Sequence, residues 1–255
     1  MPMPFTLSHP AAVLPLLRRP FSRTALVAGT VAPDLPYFVL TTGLPVSAQS
    51  WYEPFVNATT SHSTSGVPTV ALPYALALWA LFRAGRRPLA ALLSLSAPAA
   101  PSGRWVRRGG WVVLSALIGA ATHVVWDAFT HMEGLARGRV LQHASTVLGL
   151  ALLAVYLWRR RAGLRLGRSR ALPAIALCTA AAAAAHAWRR LAGPEASIVG
   201  LPLPTVIEGV LSDAAKGAGA GLLAALVLYV TAWWIHHAVG RTAAATPPTR
   251  SGTRR

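Results

Sequence analysis

The chain has 255 residues, of which 54% are hydrophobic and only 12% charged, and its mean hydropathy is +0.47. Soluble domains carry about 25% charged residues and disordered chains lack apolar ones, so this composition excludes an ordinary water-soluble enzyme and a disordered chain. The net charge of +17 comes almost wholly from Arg, and the single cysteine, Cys178, excludes an intramolecular disulfide and a cysteine-rich zinc site.

In chain order, the opening segment MPMPFTLSHPAAVLPLLRRP has no basic leader and is interrupted by prolines. It does not read as a cleaved signal peptide. Ser8 is placed to cap a short helix from His9 to Leu17, with Pro10 at its first position. Thr24 to Leu40 is apolar but holds Pro33-Asp34-Leu35-Pro36 at its centre, which favours a membrane-dipping or packed segment over a simple span. A spanning helix needs roughly 20 mainly apolar residues, and five stretches come near this. Val67 to Phe82 is short and broken by Pro68 and Pro73; Trp111 to Phe129 contains His123 and Asp127; Leu141 to Trp158 begins at Gln142 and His143. Ala171 to Trp188 and Gly217 to Ile235 are the last two. Leu89 to Pro101, with Arg on both sides, reads as a re-entrant or interfacial piece. Gly217-Ala218-Gly219-Ala220-Gly221 lacks the Lys-Ser/Thr ending of a phosphate loop and reads as a place where two membrane helices approach closely.

The expected fold is therefore an all-α, polytopic membrane helix bundle of about five transmembrane helices. Residues 1–240 form one integral-membrane domain, with 1–158 as its site-forming half, and 241–255 read as a disordered basic cytoplasmic tail.

Cytoplasmic loops carry the excess of Lys and Arg. Placing the segments 83–108 and 159–170 inside puts twelve basic residues there, against five in the loops around Arg137 and Arg189 to Lys216. The positive charge is thus mostly topology, and nucleic-acid binding by a basic stripe is set aside. This orientation carries Asp127 towards the outer face.

The informative stretch is Thr122-His123-Val124-Val125-Trp126-Asp127-Ala128-Phe129-Thr130-His131. Residues four apart on a helix differ by about 40° in azimuth and about 6 Å in height, so His123, Asp127 and His131 share one stripe. A neighbouring pair can share a metal, and the central carboxylate can bridge to a second ion about 3.5–4 Å away. A carboxylate in a spanning helix costs about 2.5–3.5 kcal/mol at its centre and is a functional candidate by default. His143 and His62 fall at the same end of the bundle. The bland alternative is a buried, hydrogen-bonded His123–Asp127 pair, with His131 at a wet helix end, His143 at a headgroup, Asp34 capping a turn and His9 at the interface. Glu133 is either a base or an outer partner, while His186, His236 and His237 read as structural.

Pro4-Phe5-Thr6-Leu7-Ser8-His9, Ala32-Pro33-Asp34-Leu35-Pro36-Tyr37-Phe38, His62-Ser63, Thr122 to His131 and Leu141-Gln142-His143-Ala144-Ser145 resemble the bacterial membrane family known as domain-of-unknown-function family 4184, over about residues 4–158. That family is distantly similar to the predicted membrane-bound metal-dependent hydrolases. The ligand order is also similar to that of zinc-dependent phospholipase C. The resemblance implies His9, Asp34, His62, His123, Asp127, His131 and His143 as ligands of one or two divalent ions, zinc first. Val147 stands where the phospholipase has a Glu, and its amino-terminal ligand has no counterpart at Met1, which implies that one metal position is absent or incomplete.

The function expected from these readings is a membrane-bound metal-dependent hydrolase acting on phosphoester bonds of lipid-like substrates. Asp127 would bridge or orient, with Asp34 as the alternative base. The rival is a non-enzymatic membrane protein, a metal or proton carrier or a structural protein, with a buried His/Asp cluster. A carrier needs polar groups continuing to the other face, and the inner halves of the spans are nearly free of them. Membrane lipids are the expected partners.

Overall fold

The structure, a computed structural model, describes residues 6–40, 42–93, 95, 105–131, 135–160, 169–192 and 200–245. Every regular element among them is helical. A 3₁₀ segment, Thr6–Leu16, is followed by α1 (Arg23–Val31), a 3₁₀ turn (Ala32–Asp34), α2 (Leu35–Leu40), α3 (Glu53–Val56) and α4 (Ala58–Ser61). A π-turn, Val67–Ala71, leads into α5 (Leu72–Leu92), and then come α6 (Trp105–His131), α7 (Leu135–Arg160), α8 (Ala171–Ala192) and α9 (Leu203–Ala245). Five helical stretches are long and apolar enough to cross a membrane: Val67–Leu92, Gly109–Phe129, Val140–Arg160, Ala171–Ala192 and Leu203–Val239. The chain is an all-α polytopic bundle and an integral membrane protein.

Two boundaries differ most from the sequence expectation. Leu89 to Leu92 is the last turn of α5 and not a separate interfacial piece; residues 94 and 96–101 lie outside the described residues. Pro88 sits inside this helix, lacks an N–H, and so leaves the carbonyl four residues back without its helical partner. That carbonyl belongs to Ala84, and Trp234 of α9 donates its Nε1–H to it at 3.0 Å. The Tyr229 hydroxyl donates to the Pro88 carbonyl at 3.1 Å. In a membrane, a freed backbone group must find such a partner from a neighbouring helix. The second difference is α9, which starts at Leu203 and runs through Ala245, so it is much longer than Gly217 to Ile235. The start of the expected tail continues this helix, and residues 246–255 lie outside the described residues.

The amino-terminal segments pack into the bundle, α1 against α6 and the 3₁₀ segment against α7. The expected helix from His9 to Leu17 is a 3₁₀ segment beginning at Thr6, with Pro10 and Pro15 inside it. The Ser22 hydroxyl caps α1 by accepting from the Ala25 N–H, and the Ser22 N–H donates to Ser115 Oγ of α6 at 2.9 Å. Where α1 crosses α6, small residues meet backbone to backbone. A Cβ on Gly29 would lie 2.2 Å from the Ala116 carbonyl oxygen, and one on Gly119 would lie 2.2 Å from that of Leu26. Ala25, Ala32, Ala71, Ala75, Ala116 and Ala120 form the buried core at this crossing. Only small side chains allow two helix axes to come so close.

Candidate metal centre

Three segments bring four polar side chains to one point. The turn after α1 supplies Asp34, the residue following α4 supplies His62, and α6 supplies His123 and Asp127 one helical turn apart. The close crossing of α1 on α6 puts the Thr30 carbonyl 2.7 Å from His123 Nδ1. The Ala58 carbonyl lies 2.8 Å from His62 Nδ1, and the Ser61 hydroxyl donates to the Pro33 carbonyl at 2.6 Å, tying the His62 loop to the Asp34 turn. An imidazole whose Nδ1–H is held by a carbonyl presents Nε2 as the ligand nitrogen. Both Nε2 atoms therefore face inward.

The distances among the convergent atoms are narrow in range. His62 Nε2 and His123 Nε2 are 3.2 Å apart. His62 Nε2 is 3.3 Å from both Asp34 Oδ1 and Asp127 Oδ2, and His123 Nε2 is 3.4 Å from both. All four donor atoms lie within 4.8 Å of one another. Donors placed about 2.0–2.1 Å from one tetrahedral ion are about 3.3–3.4 Å apart, and these five separations match that spacing, the Asp34–Asp127 pair lying within 4.8 Å. Asp34 Oδ1 is buried and has no hydrogen-bond partner among the described residues. Side-chain exposure is 3% for Asp34, 0% for His123, 7% for Asp127 and 17% for His62. His62 is the most exposed of the four.

Two buried carboxylates require positive charge close by. Burial raises the Asp34 carboxyl, but His123 and His62 outweigh it and hold the group below the usual carboxylate range. Burial works against the His62 imidazolium, yet the Asp127 and Asp34 carboxylates push it up to about 9. Tyr37, whose ring centroid is 6.2 Å from that of His62, is raised to about 12 by burial and then by the charges of Asp34 and Asp127. One divalent cation with two neutral imidazoles would balance both carboxylates without a buried net charge. The residues present fit such an ion, and the bundle holds a buried His/Asp cluster capable of binding one.

His9 joins from outside this set. Its Nε2–H donates to Asp127 Oδ1 at 2.9 Å, and its ring stacks on His123 with centroids 3.9 Å apart. Asp127 thus divides its oxygens, Oδ1 to His9 and Oδ2 towards His62 and His123. His143 lies apart, 60% exposed and 3.5 Å from Glu208 of α9. The side chain of His131 and the whole of Glu133 lie outside the described residues. His186 bonds to the Ala182 carbonyl of its own helix, and His237 stacks on Trp233. Sequence reasoning missed Thr30, Ala58, Ser61 and Glu208. Ser61 carried a signal in its place beside His62, whereas Thr30 and Ala58 act through backbone carbonyls, which no side-chain pattern marks.

A model of the family described as domain of unknown function, DUF4184, matches residues 3–138, more than half of the chain. The chain belongs to the DUF4184 family. In this DUF4184 protein the four convergent donors and His9 all fall within the matched residues, while His143, α8 and α9 fall beyond them. No curated protein and no solved structure matches the chain.

Proposed function

We propose that this DUF4184 protein is a membrane metal-binding protein in which Asp34, His62, His123 and Asp127 hold one resident divalent cation, zinc before others. The observation that carries this is the set of five donor separations between 3.2 and 3.4 Å. Imidazole and carboxylate together favour borderline cations. Four protein donors around one ion are the pattern of a closed site, whereas a catalytic zinc keeps a position for water. In this reading the ion fastens the Asp34 turn and the His62 loop to α6. Asp127 lies two residues before the end of the span Gly109–Phe129, at the end that the arginine distribution assigns to the outside. The test is metal analysis of chain purified in detergent without chelators. About one zinc per chain is expected. Far less than one zinc, manganese or iron, with no uptake on addition, overturns the reading.

A second reading, a hydrolase of phosphoester bonds in lipid-like substrates, rests on the family-like order of ligand types and is favoured by the partial exposure of His62. That edge, flanked by Tyr37, is where a substrate oxygen could approach. A bound divalent ion supplies a water of lowered pKa and polarises a phosphoryl oxygen. The chain's own share is then Asp127, oriented by His9 through Oδ1, and Asp34 as the base. Metal-loaded protein that cleaves a short-chain phospholipid, and loses this on Asp127→Asn, favours the hydrolase. Full metal occupancy without turnover leaves the closed site standing.

A further inference from the structure

Between α2, α5 and α9 lies an apolar cavity of about 360 Å³. Its walls include Leu35 and Phe38 of α2, Tyr74 and Leu81 of α5, and Ala224 and Val227 of α9. The space exists because small residues stand at Ala77, Ala220 and Ala224 on the facing helices. Thr42 and Tyr74 bring the lining's side-chain polar atoms, and both hydroxyl protons are already committed. Thr42 Oγ1 donates to the Val39 carbonyl at 2.7 Å, and the Tyr74 hydroxyl donates to the Phe55 carbonyl at 2.9 Å. Ordered water needs two to four polar partners, and this lining is suited instead to hydrocarbon.

The mouth of the cavity continues into the lipid-facing surface. α5 and α9 both belong to candidate spans. Val227 in the cavity wall is 38% exposed, and the lining residues Ala77 and Ala224 are exposed as well. From Tyr74 to Leu81 the groove follows α5 for about two turns, roughly 10 Å. Its volume lies within the range of small-molecule sites, about 300–1,000 Å³. We propose that this groove binds one acyl chain of a membrane phospholipid, entered sideways from the bilayer. Leu35 of the groove wall follows Asp34 of the His/Asp cluster directly in the chain. Occupation of the groove does not require a cation, and the proposal stands apart from the metal reading.

The test uses the full chain in nanodiscs containing a phosphatidylcholine with a photoactivatable diazirine in mid-chain, with crosslinks mapped by mass spectrometry. Groove residues of α5 and α9 are expected to label several-fold above the lipid-facing residues Leu148 of α7 and Leu177 of α8. Ala224→Phe should bring groove labelling down to that annular level, and Ala77→Leu, filling the groove from the other wall, should do the same. Metal content measured on the same samples should not change, which separates failure of the groove from failure of the metal centre. Groove labelling equal to annular labelling in the wild type, or unchanged in both filled variants, overturns the proposal.

Discussion

Between the 3₁₀ segment and the end of α6 the chain buries Asp34, His123 and Asp127 to 2%, 0% and 5% exposure, whereas α8 has no buried residue at all. The first region gathers charge from segments up to 118 residues apart, the separation of His9 and Asp127. The α8–α9 hairpin rests mainly on close packing of small residues, with one partly exposed ion pair across it, Arg190 to Asp213 at 3.9 Å. A Cβ on Gly217 would lie 2.6 Å from the Ala182 carbonyl oxygen. The contrast shows two ways to hold helices in lipid. Where side chains are apolar, close van der Waals approach is the means available. Where carboxylates are buried, the helices are tied by whatever neutralises them, and the ties can join segments far apart in the chain.

The sharpest way to break this contrast is Asp127→Asn, which keeps the shape and removes a charge. In the metal reading it takes away one of four donors, and affinity should fall by more than the roughly 10–100-fold seen when an outer partner is lost. Metal measured per chain should drop to background while the protein still inserts. If His123 and Asp127 were only a buried pair, the same change would relieve an insertion cost of up to about 3 kcal/mol. A higher unfolding temperature with unchanged, near-zero metal would then be the result.

A paired experiment compares the two regions directly. Gly29→Val must push α1 away from α6, because the new Cβ meets the Ala116 backbone oxygen at 2.2 Å. Overpacking of this kind costs about 1–3 kcal/mol, and it also withdraws the Thr30 carbonyl from His123, so metal binding should be lost. Gly217→Val should loosen the hairpin by a comparable amount and leave metal content at the wild-type level. Equal loss of metal in both variants would show that the regions are not independent.

The smallest expected effect comes from Ser61→Ala. It removes the hydrogen bond to the Pro33 carbonyl, worth about 1 kcal/mol net, without touching a donor atom. Because that bond holds the His62 loop on the Asp34 turn, metal affinity read by chelator competition should fall by up to about 5-fold, the full worth of that bond. An affinity equal to wild type would mean that the turn is positioned by packing alone.

The sequence by itself determined what depends on local periodicity. Hydrophobic runs of sufficient length marked the five spans, the four-residue spacing put His123 and Asp127 on one face of α6, and the glycine-alanine run at 217–221 marked the tight face of α9. Each of these follows from helical geometry within a few turns of chain. The arginine-derived topology brought His62 to the same end of the bundle, and Asp34 was legible only through the order of residue types in the family resemblance. Nothing in that order distinguished them from His143, which the fold sets against Glu208 instead. Tertiary structure alone decided that α1 crosses α6 closely enough for the Thr30 backbone carbonyl to orient His123. It likewise decided that Pro88 could stay inside a helix because Trp234 reaches the carbonyl of Ala84. Both outcomes depend on where two helix axes cross. That crossing is set by the packing of residues far apart in the chain, and the backbone groups involved are the same in every amino acid.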